Sequence, residues 1–100
     1  MVVARLAKFF FKSGEREKGF AELDLVLNKQ VQRAKGYRGY VSMFSCEQDE
    51  VAIILTMWRD YESFLDSQEL FASTMEKAKR FFEKDPEVEY YRIDTVNVIQ

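Results

Sequence analysis

Residues 50–59, EVAIILTMWR, constrain the fold more than any other part of the chain. An extended backbone sends alternate side chains to opposite faces, so Ala52, Ile54, Thr56 and Trp58 share one face while Val51, Ile53, Leu55 and Met57 share the other. Both faces are apolar. Such a strand needs cover on two sides, whereas a strand with one solvated face needs it on one. Trp58 is the only tryptophan. Standing at the end of this strand, it either seals a core or turns its indole N–H into a site.

The rest of the chain supplies the cover. Residues 2–12 are rich in Val, Leu and Phe and carry no helix-start signal, which predicts a strand buried on both faces. Residues 13–36 predict a helix: Ser13 as N-cap, Glu15 and Glu17 in the first turn, Phe20, Leu23, Leu27, Val31 and Ala34 at three- and four-residue steps, and Lys35-Gly36 as the close. Residues 37–46 and 50–59 predict a hairpin around Glu47-Gln48-Asp49. Asp60 caps a short turn carrying Phe64. Asp66 with Glu69 reads as a capping box for a second long helix, with Phe71, Met75, Ala78 and Phe82 on its inner stripe and Pro86 at its end. Residues 88–99 predict the last strand.

The order β-α-β-β-α-β is the ferredoxin-like split βαβ, an α+β fold in which two helices cover one face of a four-stranded antiparallel sheet. At 100 residues the chain is expected to form one domain over 1–100. The helices leave Val51, Ile53, Leu55 and Met57 uncovered, and an exposed patch of that size calls for a second sheet. The expected solution is a homodimer, two sheets face to face in a shared barrel, with an interface at or above roughly 2,000 Å².

Several function classes fall away on composition. The chain has no histidine, and so lacks the commonest general base and metal ligand. No metal is expected, because no acidic pair stands at a metal-binding spacing. The four glycines form no phosphate loop. A net charge of −2, with both signs interspersed, points away from nucleic acid and from membrane surfaces. Arg5 and Lys8 interrupt the apolar opening, which argues against a signal sequence. The single cysteine, Cys46, fits a cytoplasmic protein and has no basic group placed to activate it.

Two families share this order of elements. RGYVSMF at 38–44 begins like the aromatic signature of RNA-recognition motifs, but Val41 stands where Gly or Ala is needed, and the segment opens the second strand rather than the third. The closer likeness runs across nearly the whole chain, through VVARLAKFFFKSGE, AKGYRGYVSMFSC and DEVAIILTMWRDYESFLDSQELF. These segments resemble the antibiotic biosynthesis monooxygenase (ABM) superfamily of dimeric α+β barrels. The most recognisable element is a strand ending in Trp, an aromatic six residues on, then a Ser and a hydrophobic residue opening the second helix: Trp58, Phe64, Ser67 and Phe71.

The resemblance implies a monooxygenase that oxidises a small aromatic, polyketide-like or quinol compound with O₂ and no cofactor, or else a non-catalytic relative that binds a small apolar molecule or haem. Polyketide-oxidising members carry an Asn four residues before the Trp and a Tyr six after it; Ile54 and Phe64 stand there in this chain. Haem-degrading members carry an Asn on the first strand and a His in the second helix, where this chain has Ala7 and Met75. Trp58 is therefore the first catalytic candidate. Arg92 and Tyr90, which share a face of the last strand, are the next, since both can stabilise a developing oxyanion. Ile54, Phe64, Phe71, Met75 and Tyr40 are the expected substrate-binding residues. Each has a plain alternative: Trp58 and Met75 as core, Arg92 as a surface ion-pair residue.

Overall fold

Alternation of large apolar and smaller or polar residues builds the centre of the sheet. In the computed structural model, which describes residues 1–99, β1 (Val3–Phe11) puts Val3, Arg5, Ala7, Phe9 and Phe11 on one face, all buried. β3 (Val51–Trp58) lies antiparallel to it, pairing Ala7 with Ile54, Arg5 with Thr56 and Val3 with Trp58. β2 (Tyr37–Phe44) pairs with the outer side of β3, and β4 (Phe82–Arg92) with the outer side of β1. The order across the sheet is β2-β3-β1-β4. This is the antiparallel sheet of a ferredoxin-like α+β fold.

One face of that sheet is covered by helices. α1 (Arg16–Lys29) buries Gly19, Leu23 and Leu27 against it. A Cβ on Gly19 would lie 2.5 Å from the Phe11 ring and 2.9 Å from Phe81 Cβ, so the helix approaches the sheet more closely than any other residue allows. The second helical layer is two pieces, α2 (Tyr61–Asp66) and α3 (Gln68–Ala78), meeting at Ser67. Phe9, Phe11 and Phe82 cluster with ring centroids 5.6 to 6.1 Å apart at one end of the core, and Trp58 and Phe64 lie buried at the other.

Several element boundaries differ from expectation. α1 begins at Arg16, with Glu15 rather than Ser13 at its N-cap, and stops at Lys29; Val31–Arg33 is a 3₁₀ turn. Val31 is nevertheless buried, as the helical stripe predicts. The chain tightens there because Gly36 must pass Ser63 in a left-handed conformation, φ +79°. Asp60 caps the short helix as expected, its Oδ1 accepting from the Ser63 N–H at 2.8 Å, but the box expected of Asp66 and Glu69 does not form. Phe82 opens β4 instead of closing a helix, and Pro86 sits within that strand, at a sheet edge where its missing N–H costs no ladder bond.

β4 ends at Arg92, short of the predicted residue 99. Ile93 N–H still bonds the Val2 carbonyl at 2.8 Å, but β1 begins at Val3, and no neighbouring strand remains for residues 94–99 to pair with.

The other face of the sheet carries Leu6, Val41, Met43, Ile53, Leu55 and Met57. Val41 is 48% exposed and Met43 43%. No described helix is long and apolar enough to cross a membrane.

Candidate functional site

Ala7 and Thr56 are small where their sheet neighbours are large, and that difference leaves a hollow between the sheet and the helices. It is a partly open cavity of about 50 Å³. Ile54, Thr56 and Trp58 of β3 and Arg5 and Ala7 of β1 form its floor, and Leu27 of α1 with Phe71, Thr74 and Met75 of α3 form its walls. A second hollow of about 90 Å³ adjoins it, sharing Trp58, Ser67 and Leu70.

The cavity contains a charge. Arg5 is 4% exposed, and its guanidinium lies 4.7 Å from the Phe64 ring centroid, 4.6 Å from that of Phe71 and 6.0 Å from that of Trp58. Nη2 donates to Ser67 Oγ at 2.9 Å and to Gln68 Oε1 at 2.6 Å. Nε is buried without a partner, and among the described residues no carboxylate lies within ion-pair distance of Arg5. Burial without a counterion pulls its pKa down to about 10, so the group stays cationic at neutral pH.

The hydroxyls around this charge are fixed by neighbours. Trp58 Nε1 donates to Thr56 Oγ1 at 3.1 Å, which leaves the Thr56 hydroxyl hydrogen free to donate in turn. Ser67 Oγ donates to the Phe64 carbonyl at 2.6 Å, and Thr74 Oγ1 to the Leu70 carbonyl at 2.7 Å. Tyr37 packs edge-on against Trp58 at 5.3 Å; its hydroxyl is buried without a partner, and desolvation, with the nearby Tyr40, raises its pKa to about 12. The lining is almost wholly apolar, with these polar groups set beneath its surface. Among the described residues no carboxylate lines this cavity, while Asp66 and Lys35 line the adjoining one.

The residues expected from sequence fall into two groups. Trp58, Ile54, Phe71 and Met75 line the cavity together. Phe64 packs on the Arg5 guanidinium, and on its other side Tyr90 lies 5.1 Å away. Tyr40 is tied to α1 through Asp24 Oδ1 at 2.7 Å, a bond that raises its pKa, and it is not a lining residue. Tyr90 is 58% exposed and packs at a tilt against Tyr61, Arg92 is exposed at the end of β4, and neither borders the cavity. Sequence reasoning missed Arg5 as a site residue. The signal was there: β1 alternation puts Arg5 on the face of Val3, Phe9 and Phe11.

Haem does not fit this arrangement. Met75 is the one cavity residue with a ligating atom suited to iron, no histidine exists in the chain, and the hollow is several times too small for a macrocycle.

No protein-family model matches the chain, and no curated protein matches it in sequence. Solved structures do match in shape. A conserved protein from Methanosarcina mazei superposes with a TM-score of 0.80 at 17% identity, over 94% of both chains. A single-residue variant of SnoaB, a cofactor-independent oxygenase from Streptomyces nogalater, gives 0.80 at 10% identity over 95% of both. A protein from Bordetella bronchiseptica, named provisionally as an antibiotic biosynthesis monooxygenase, gives 0.76 at 16% identity, over 94% of this chain and 98% of that one. From β1 to β4, the chain has the ferredoxin-like α+β fold of the antibiotic biosynthesis monooxygenases.

Proposed function

We propose that the chain, as one domain over residues 1–100, is a cytoplasmic, homodimeric oxygenase that uses O₂ and no cofactor to oxidise a small aromatic or quinol-like compound. The observation that carries this reading is the hollow at the end of β3, where Trp58 and an uncompensated Arg5 stand among apolar walls. An electron-rich phenol or anthrone becomes reactive toward O₂ once it ionises, and a buried cation beside its oxygen favours the ionised form. For a methylene flanked by aromatic rings the balance is R₂CH₂ + O₂ giving R₂C=O + H₂O. The anion transfers an electron to O₂, the C–O bond forms, and loss of water leaves the ketone. In this scheme Arg5 stabilises the oxyanion, the Trp58–Thr56 pair presents a hydroxyl donor, and Ile54, Phe71 and Met75 hold the ring and exclude water.

Room for a ring comes from joining the two hollows. Leu70 lines both, and their volumes of about 50 and 90 Å³ together are comparable with the roughly 150 Å³ that holds benzene in a protein interior. Met75, flexible and partly buried, adapts to the ring. The fold shared with the SnoaB oxygenase supports the same reading.

Oxygen uptake with a panel of quinols and anthrones tests it, beside a Trp58→Phe variant that keeps an aromatic and loses the donor. Turnover that falls in the variant is the expected result. A folded protein that consumes no oxygen with any of them overturns it in favour of binding without turnover. That second reading is favoured by Ile54 and Phe64, which place carbon where polyketide-oxidising members of the resembling family carry polar groups.

A further inference from the structure

We propose that Arg5 makes this cavity an anion site, one that takes the oxyanion of a small planar acid, a carboxylate or a phenolate, in its resting bound state. The proposal rests on the cavity being the ligand site, as above, but it does not require turnover.

Three features on the same few residues support it. The first is an imbalance of charge. Arg5 is 96% buried by its 4% exposure, has an unpartnered Nε, and meets only neutral oxygens, those of Ser67 and Gln68. A buried charge without a counterion is costly, and an anion binding beside it removes the cost. The second is an imbalance of donors over acceptors. The hydrogen of Ser67 is spent on the Phe64 carbonyl, while Arg5 Nε–H and the Thr56 hydroxyl remain to donate. A carboxylate or phenolate accepts from both kinds of donor and offers none. The third is orientation of the surroundings: Ser67 is the N-cap of α3, whose positive end reinforces the cation rather than neutralising it. The Phe71 ring, which packs on the guanidinium and also lines the cavity, favours a flat partner beside it.

The sole tryptophan lies in the cavity wall, so its fluorescence reports occupancy directly. The full-length protein is titrated at fixed ionic strength with sodium benzoate and with benzamide, a neutral compound of nearly the same shape, and then with acetate and acetamide. Calorimetry gives the affinities. Charge-assisted bonds to a buried guanidinium predict benzoate binding at least about tenfold tighter than benzamide. Arg5→Met lowers benzoate affinity by about 30-fold or more and leaves benzamide nearly unchanged, and Arg5→Lys recovers part of the loss. Repeating the calorimetry with 4-nitrophenol above and below its ionisation separates the two acids: affinity that rises with ionisation marks a phenolate site, and affinity confined to benzoate and acetate marks a carboxylate site.

Equal affinity for benzoate and benzamide in the unmodified protein overturns the proposal without reliance on any variant. So does benzoate affinity that survives Arg5→Met. Acid-selective binding with no oxygen uptake keeps the anion site and sinks the oxygenase reading. Oxygen uptake that benzoate and 4-nitrophenolate fail to inhibit does the reverse.

Discussion

At Arg5 a full charge sits among phenyl rings and hydroxyls, and the consequences are measurable in stability as well as in binding. Burial disfavours the cation, so the folded-state pKa lies at about 10, below that of the unfolded chain. The unfolded chain then binds the proton more tightly: the destabilising contribution is complete below about pH 10 and is relieved only as the pH rises above it. Between pH 6 and 9 the charge is constant, and ligand binding through Arg5 is expected to be flat with pH unless the ligand itself titrates. Replacing an uncompensated buried charge by an apolar side chain of similar length is neutral or stabilising, so Arg5→Met is expected to raise stability by up to about 3 kcal/mol in denaturant unfolding. A loss of stability of that size would instead make the bonds to Ser67 and Gln68 structural. A residue that weakens the fold while equipping the cavity is the ordinary trade between stability and function. Trp58, Ile54, Phe71 and Met75 were legible as neighbours because strand and helix periodicities put them on inward faces. Arg5 was passed over because a charge in an apolar run reads as an interruption; only the packing of Phe64 and Phe71 around it reveals a built environment.

Among the elements, the turn into β2 and the start of α2 carry the sharpest expectations. Gly36 has φ +79°, its carbonyl accepts from the Arg59 N–H at 2.6 Å, and a Cβ there would lie 2.5 Å from Ser63 Cβ. Gly36→Ala combines a left-handed backbone with a collision and is expected to cost at least about 2 kcal/mol, while Gly14→Ala, equally left-handed but with open space around it, costs only the backbone part of about 1–2 kcal/mol. Similar losses at both positions would remove the argument from packing. Asp60 is held at a pKa of about 2, chiefly by the Ser63 backbone N–H and then by the Ser63 hydroxyl. Its folded pKa is depressed, so its contribution is present above the ordinary carboxylate range and is lost as the pH falls through about 2. Acid unfolding of Asp60→Asn is therefore expected to be less steep in that window than that of the unmodified chain, and identical acid profiles would count against the cap. The sequence signals for both features were plain, a glycine after a helical run and an aspartate before one. Less visible was where α1 stops, because Val31 and Ala34 keep the helical apolar spacing although the backbone has already left the α-helix.

For the whole molecule the open question of cover becomes a test of assembly. Leu6, Ile53 and Leu55 stand on a sheet face that no described element covers, and Val41 and Met43 extend it. On the homodimer reading, Leu55→Glu places a charge at the centre of the shared interface and is expected to shift sedimentation from dimer to monomer at micromolar concentration. An unmodified chain that sediments as a monomer would remove that reading and leave the apolar face to another partner. What the sequence determined by itself is the order of elements, the inward faces of β3 and α3, and the ferredoxin-like class, because periodicity and turn chemistry are local properties that a strand or helix expresses wherever it sits. What only the tertiary structure decided is the site. Arg5 and Ser67 lie 62 residues apart in the chain, and their meeting at 2.9 Å, with no carboxylate of the described residues within ion-pair distance of Arg5, depends on the register of β1 with β3 and on the break between α2 and α3. Whether a buried charge is compensated is a property of its surroundings in space, and a sequence specifies those only through the completed fold.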